Sequence, residues 1–508
     1  MLRSNGAVLA RNTIYNFLTQ IVVSVLAFLS IPVIVRGMGE EVFALLTLIW
    51  MVVGYFSILD LGVGQASVKF LAEEIARGEV DRANSTVWVS VAVSAGLGVI
   101  TSGIMLAVMP LLLGGVIAVP AHLQADMHRS FLLVTVAVPF VMIQGAFRAV
   151  PMAVQRFDLF NLLQGLSGLL QWGGSLVLVI SGSGLFAIVA LTVAIRVVGA
   201  AAACVIAVKL FPGLSFAAPK DVGPTVRKLL TFGGWLTVSQ AVSPVARYLD
   251  RVFVVSYTSL KMFTYYAAPF EAMSRVQVIP LSLSTTLFPA MSERESIHGP
   301  AESFSLYMRA MNFTILVMLP IAIGLVAFSQ PILHLWLGGS FPELSDGVFK
   351  ILAAAAFVQA ICYLPLTSLQ ALGRPDLAAK YYLFEIPLYV GLCFLLVPLF
   401  GIVGAAWAYC IRMILSTAWF VWIAHRTLGS PPVVFASFRR SLGLNAILLV
   451  CLMLVAHVVT PVVLQLAIAC ATLAAYAAGV WLFCLDRTEQ QVIHGLILFR
   501  SREVTRVS

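Results

Sequence analysis

Nine ionisable side chains stand inside long apolar stretches, where a charge is expensive. Arg247, Asp250 and Arg251 fall in one stretch and Glu271 and Arg275 in the next; Asp60, Glu385, Arg196 and Arg412 each lie in another. On insertion scales a charge at a bilayer centre costs ~2.5–3.5 kcal/mol, so nine facing lipid would cost on the order of 25 kcal/mol. They must face a bundle interior or a water-filled cavity. Arg247, Asp250 and Arg251 stand at i, i+3 and i+4 and share a helix face, while Glu271 and Arg275, at i and i+4, can pair along theirs. Five arginines against four carboxylates leave spare positive charge, and the planar guanidinium fork matches phosphate oxygens. The chemistry expected is recognition of an anion, with Arg247, Arg251, Arg275, Arg196 and Arg412 as its candidates. Asp60, Asp250, Glu271 and Glu385 are candidates for charge pairing or for coupling to H⁺ or Na⁺, because a cavity carboxylate beside arginine is pulled both ways by desolvation and charge. A scaffold ion bridge explains any single pair equally well.

The elements that carry these residues follow from composition. The chain has 508 residues, 61% hydrophobic and 10% charged, and a mean hydropathy of +1.00. Soluble domains carry about 25% charged residues, so soluble enzymes, secreted domains and disordered scaffolds are excluded. Apolar stretches fall at 12–35, 42–66, 84–110, 130–150, 160–182, 184–209, 228–257, 263–290, 306–329, 346–370, 377–398, 402–424, 439–460 and 461–484. Each is near the ~20 residues that cross a bilayer as a helix. The fold class expected is an all-α polytopic membrane protein with fourteen transmembrane helices, with tight hairpins at Ser181–Gly184 and Thr460–Pro461. The first stretch is too long for a signal-peptide core and lacks a small-residue cleavage site, so it is expected to stay as a helix.

With the N-terminus inside, twenty-two of the 31 Lys and Arg residues fall on the cytoplasmic side and four (Arg36, Arg129, Lys261, Lys350) on the other. This asymmetry places both termini in the cytoplasm. The net charge of +9 is spread between apolar stretches rather than clustered, which argues against nucleic acid. The chain also matches itself at an offset of 216–220 residues: Gln20 with Gln240, Phe43 with Phe263, Glu73 with Glu293, Ile195-Arg196 with Ile411-Arg412. Two copies of a six-helix unit are therefore expected, at 1–210 and 228–426, joined by a Pro-, Gly- and Lys-rich cytoplasmic linker, 211–227. Two further helices (427–484) and a cytoplasmic tail (485–508) follow. Parallel repeats of this kind recur in transporters that bind substrate between the halves. The segment 70–77 is amphipathic and is expected to lie on the membrane surface. The seven cysteines have no ligand spacing, and no Gly-rich phosphate loop, nucleophile elbow or metal motif occurs.

Several of these residues resemble one family. Ile31-Pro32-Val33-Ile34-Val35-Arg36-Gly37-Met38-Gly39, Phe43, Tyr55 and Leu59-Asp60-Leu61-Gly62-Val63-Gly64 are similar to the opening of bacterial polysaccharide and O-antigen (Wzx-type) flippases. These belong to the multidrug/oligosaccharidyl-lipid/polysaccharide (MOP) exporter superfamily. Asp250-Arg251, Tyr265-Tyr266 and Gly401-Ile402-Val403-Gly404-Ala405-Ala406 extend the likeness into the second half, whereas Ala44 departs from the Gly common after Phe43. The resemblance implies a flippase of the inner membrane, not an enzyme. It would move undecaprenyl-diphosphate-linked oligosaccharide to the periplasmic leaflet by alternating access of two lobes forming a V. It also implies no cofactor beyond a coupling ion, and a polysaccharide polymerase and assembly proteins as partners. The alternatives are a lipid II flippase, a cation-coupled drug exporter, which predicts twelve helices and an acidic cavity, and a membrane polymerase or ligase, which needs a large external catalytic loop.

Overall fold

The computed structural model describes residues 6–56, 62–111, 119–154, 156–211, 214–215, 222–284, 287–288, 291, 300–428, 438–459, 461–484 and 490, with the side chains of 6–18, 55–56, 157, 232–248, 300–302, 375, 462–463 and 466 left aside. Among the described residues there are helices, turns and no strand. The first nine long helices are α1 (Gly6–Met38), α2 (Glu40–Phe56), α3 (Val63–Ala76), α4 (Val80–Leu111), α5 (Gln124–Ala153), α6 (Phe157–Ile180), α7 (Leu185–Leu210), α8 (Val222–Tyr257) and α9 (Leu260–Val276). Then come α10 (Pro300–Ala327), α11 (Ser329–Trp336), α12 (Asp346–Ala371), α13 (Pro375–Thr427), α14 (Arg439–Val458) and α15 (Val462–Phe483).

Among the described residues, nine helices are long and apolar enough to cross a membrane. That number differs from the fourteen expected partly because helices merge and split. The expected spans 377–398 and 402–424 are one helix of 53 residues, α13, interrupted at Gly401 with φ 58° and ψ −133°. A side chain at that φ would clash with its own backbone, so glycine is what allows the helix to break there. The expected span 42–66 is instead two helices, α2 and α3, and the second begins after Gly62 at φ 67°. The first tight hairpin forms, α6 turning into α7 through Gly182, and α15 starts directly after Pro461, while Thr460 lies outside the described residues.

Outward faces are apolar, as with Ile180 at 72% exposure and Val458 at 74%. A helix that is apolar all round has lipid for its outer solvent.

The helices sort into two compact units. One comprises residues up to Val278 together with Pro375–Arg412, and therefore draws on both halves of the sequence. Within it α5 packs on α4 and α7, α1 on α6, and α2 on α9. The close approach of α4 to α5 requires Gly98, since a Cβ there would lie 2.5 Å from the Pro139 Cα. In this unit α2 and α9 each have 17 residues, and Phe43 and Phe263, which the sequence offset pairs, are both buried.

The segment 70–77 packs one side against neighbouring helices and leaves Ala76 and Arg77 exposed. It is the end of α3, where Phe70 and Leu71 are buried and Phe70 packs with Val89 of α4 and Leu229 of α8. Lys228 reaches over the Phe70 ring, 3.9 Å from its centroid, to pair with Glu74 at 3.1 Å. That partner lets the amphipathic face bury its carboxylate.

The other unit, Ile279–Arg374 and Met413–Ser508, is built on Tyr307, Met311 and Ile315 of α10 packed with Leu364 of α12 and Leu428. The Tyr476 hydroxyl of α15 donates to the Leu316 carbonyl at 3.0 Å.

Candidate functional site

Five helices of the first unit surround a cavity of about 210 Å³. Thr47, Trp50, Met51 and Val53 come from α2, Gln171 and Trp172 from α6, Thr192 and Arg196 from α7, Arg251 from α8, and Glu271 and Arg275 from α9. The structure thus brings together Arg196, Arg251, Arg275 and Glu271, which the sequence scatters over 80 positions. Three guanidinium groups face one carboxylate.

The pairing is specific. Arg251, 3% exposed, donates to Glu271 Oε1 at 3.0 Å, and its guanidinium lies 4.8 Å from the Phe270 ring centroid. Arg275 reaches the other oxygen, Glu271 Oε2, at 3.3 Å, so the i, i+4 pair forms. Its guanidinium also covers the indole of Trp172 at 5.1 Å. A carboxylate bridging two arginines spends its single negative charge on both, leaving one positive charge over. Arg196 adds a second, since it has no carboxylate within salt-bridge distance among the described residues. Arg148 of α5 stands near enough to repel Arg196 electrostatically, and its Nε is buried without a hydrogen-bond partner among the described residues.

The remaining candidates divide. Asp250, next to Arg251 in sequence, is fully buried and accepts a hydrogen bond from the Tyr266 hydroxyl. Successive helix residues point about 100° apart, and here Asp250 and Arg251 take different partners, Tyr266 and Glu271. Glu385 and Arg412, 2% and 6% exposed, approach each other to 3.9 Å, with Tyr389 and Tyr409 rings at 4.6 and 5.2 Å from the Arg412 guanidinium. They form a buried cluster and do not line the cavity. Arg247 lies in α8 but its side chain is outside the described residues, as is the whole of Asp60.

Sequence reasoning passed over the neutral part of the wall. Trp50 and Trp172 meet edge to face at 4.9 Å between centroids, and Gln171 and Trp50 both donate to Thr192. The available signal was Gln171, an amide in the middle of an apolar stretch. Among the described residues no group of His, Cys, Asp or Glu is placed to hold a metal.

Residues 9–295, more than half of the chain, match the family described as polysaccharide biosynthesis protein. The chain belongs to that family. One relative is a Shigella flexneri protein named "Putative O-antigen transporter", 25% identical over 423 residues that cover 82% of this chain and 97% of the relative. Among solved structures, the lipid II flippase MurJ in an inward closed conformation matches 97% of this family member and 100% of its own chain, with TM-score 0.70 and 13% identity. An inward-facing MATE multidrug resistance transporter of the MOP superfamily covers 82% of this chain and 98% of its own, with TM-score 0.68 and 13% identity. The fold is that of the MOP-superfamily transporters, and the protein is a multi-pass membrane protein of polysaccharide biosynthesis.

Proposed function

We propose that this protein is a flippase, not an enzyme, and that it carries an undecaprenyl-diphosphate-linked glycan from the cytoplasmic to the outer leaflet of a bacterial inner membrane. The observation that carries this reading is the charge of the cavity: Arg196, Arg251 and Arg275 against Glu271 alone. A diphosphate that leaves water needs charge-assisted hydrogen bonds in return, worth ~1.5–3 kcal/mol each. An arginine lattice offers them, whereas a cationic drug would be repelled. The relative named as an O-antigen transporter supports the same substrate class.

Arg196 gives the cleanest test. Because it has no carboxylate partner among the described residues, Arg196→Gln should leave membrane abundance unchanged and lower glycan export by tenfold or more, the equivalent of about 1.4 kcal/mol of lost binding. Normal export by a stably accumulated Arg196→Gln protein removes the cavity from the transport path. The same reconstituted protein tests coupling. Glu271, Glu385 and Asp250 each face an arginine or tyrosine that competes with an incoming H⁺ or Na⁺, and flux that ignores both gradients excludes them from that role.

A further inference from the structure

Glu40 opens α2 and is gripped in three ways by the start of α9. Its carboxylate accepts from the Tyr265 hydroxyl at 2.5 Å through Oε1 and meets Lys261 Nζ at 3.3 Å through Oε2. Its backbone carbonyl accepts from the Thr264 hydroxyl. The three donors fall within five consecutive residues of one helix, so parting the two helix starts breaks all three bonds. They differ in strength. Tyr265 is fully buried, and a buried hydrogen bond to a charged group is stronger than a neutral one. Lys261 has 56% of its side chain exposed, and an exposed ion pair adds little.

The same two helices line the cavity further along. Thr47 lies seven residues beyond Glu40, and Glu271 six beyond Tyr265. At 1.5 Å per residue the cavity begins ~9–10 Å from the grip. The stretch between is apolar and closed to water: Phe43, Ala44 and Leu46 of α2 and Phe263, Ala267 and Ala268 of α9 are at most 1% exposed. A polar clasp, then apolar packing, then a charged cavity is the order expected of a stopper at one end of a transport path. The charge distribution predicts this end, which carries Arg36 and Lys261, to face outward. Near the opposite end of α8 a separate carboxylate–lysine pair joins Lys228 to Glu74 of α3 at 3.1 Å.

We propose that Glu40, Tyr265 and Lys261 form an outer latch, closed in this structure, whose release opens the cavity toward the outer face. The inference rests on the flippase reading above and deepens it by naming the contact that parts when cargo leaves. Tyr265 carries most of the holding energy, and Lys261 a minor share.

Access to the cavity is the readout. A cysteine placed at Thr47 is treated with a membrane-impermeant thiol reagent, from outside in spheroplasts and from inside in inverted vesicles. The protein without Thr47→Cys supplies the background from its seven cysteines. Tyr265→Phe, which keeps the ring and deletes the hydroxyl, should raise labelling from outside about fivefold or more and lower it from inside. Lys261→Gln should change it less than about twofold. Lys228→Gln, which cuts the pair at the opposite end, should give no rise from outside. If Tyr265→Phe fails to accumulate, Glu40→Gln, which leaves an acceptor for Tyr265 but removes the charge, should raise outside labelling about threefold. Unchanged outside labelling in both Tyr265→Phe and Glu40→Gln overturns the latch and leaves the flippase reading standing. So does an equal rise from both sides, which marks loosened packing instead of a shifted opening. Absence of labelling from either side in every variant removes the cavity from the transport path, and overturns the flippase reading together with the latch.

Discussion

Arg251 is held on three sides: by the Glu271 carboxylate at 3.0 Å, by the Phe270 ring and by 97% burial, its exposure being 3%. Its removal should therefore act on folding as well as on transport, unlike that of Arg196. Arg251→Ala leaves Glu271 with Arg275 alone. Losing one charged partner of a buried carboxylate costs ~1.5–3 kcal/mol, so membrane abundance and detergent melting temperature should both fall. Arg251→Lys keeps the charge but loses the fork that reaches Glu271, and should restore abundance more fully than export. Removing Glu271 together with Arg251 should bring abundance back while export stays low; quantitative immunoblots and glycan export measured side by side separate the two. Full export by the double mutant would make Arg251 a scaffold residue. The spacing of Asp250 and Arg251 in sequence pointed to a shared face, but the partner that Arg251 takes in the fold comes from the next helix.

At the level of elements, α4 offers an internal comparison. Gly96 and Gly98 lie two residues apart on it; a Cβ at Gly96 meets nothing within 4 Å, while one at Gly98 meets the Pro139 backbone of α5 at 2.5 Å. Gly96→Ala should be neutral or stabilising by up to about 1 kcal/mol, since alanine loses less conformational freedom in a helix. Gly98→Ala should destabilise by ~1–3 kcal/mol, because a backbone atom cannot move aside as a flexible side chain can. Thermal unfolding in detergent compares them directly, and equal melting temperatures would show that α4 and α5 are not locked at this crossing. A similar reading applies where α2 meets α9. The Glu40 carboxylate accepts from Tyr265 at 2.5 Å and pairs with Lys261 at 3.3 Å, so offset-matched helices of the two sequence halves are tied at their N-terminal ends.

For the whole molecule, the distribution of charge makes the prediction. With twenty-two Lys and Arg residues expected on one side against four on the other, the positive-inside rule predicts that the first side is cytoplasmic. Reporter fusions at Ser508 and beside Lys220 should be active only with a cytoplasmic reporter. Activity of a periplasmic reporter at either position would mean that the number of crossings before it is odd, and the fourteen-helix topology would fall.

The membrane fold was legible in the sequence because burial in lipid imposes a local rule. Every span must be apolar over a length set by the bilayer, and loops must carry the charge. The same rule exposed Arg196, Arg251, Arg275 and Glu271, since a charge inside an apolar stretch is visible one residue at a time. What the sequence could not determine was which of them meet. Trp50 and Thr192 bond across 142 positions, and Arg251 chooses Glu271 rather than Asp250, because partner choice depends on how helices turn against one another. Arg412 and Glu385 obey the same local rule as the cavity residues, yet tertiary packing buries them in a cluster of their own with Tyr389 and Tyr409. The tryptophans and Gln171 had no such mark, since indole rings and an amide are tolerated in a span wherever they point. Only the packing of α2, α6 and α7 brought them to one cavity beside the arginines.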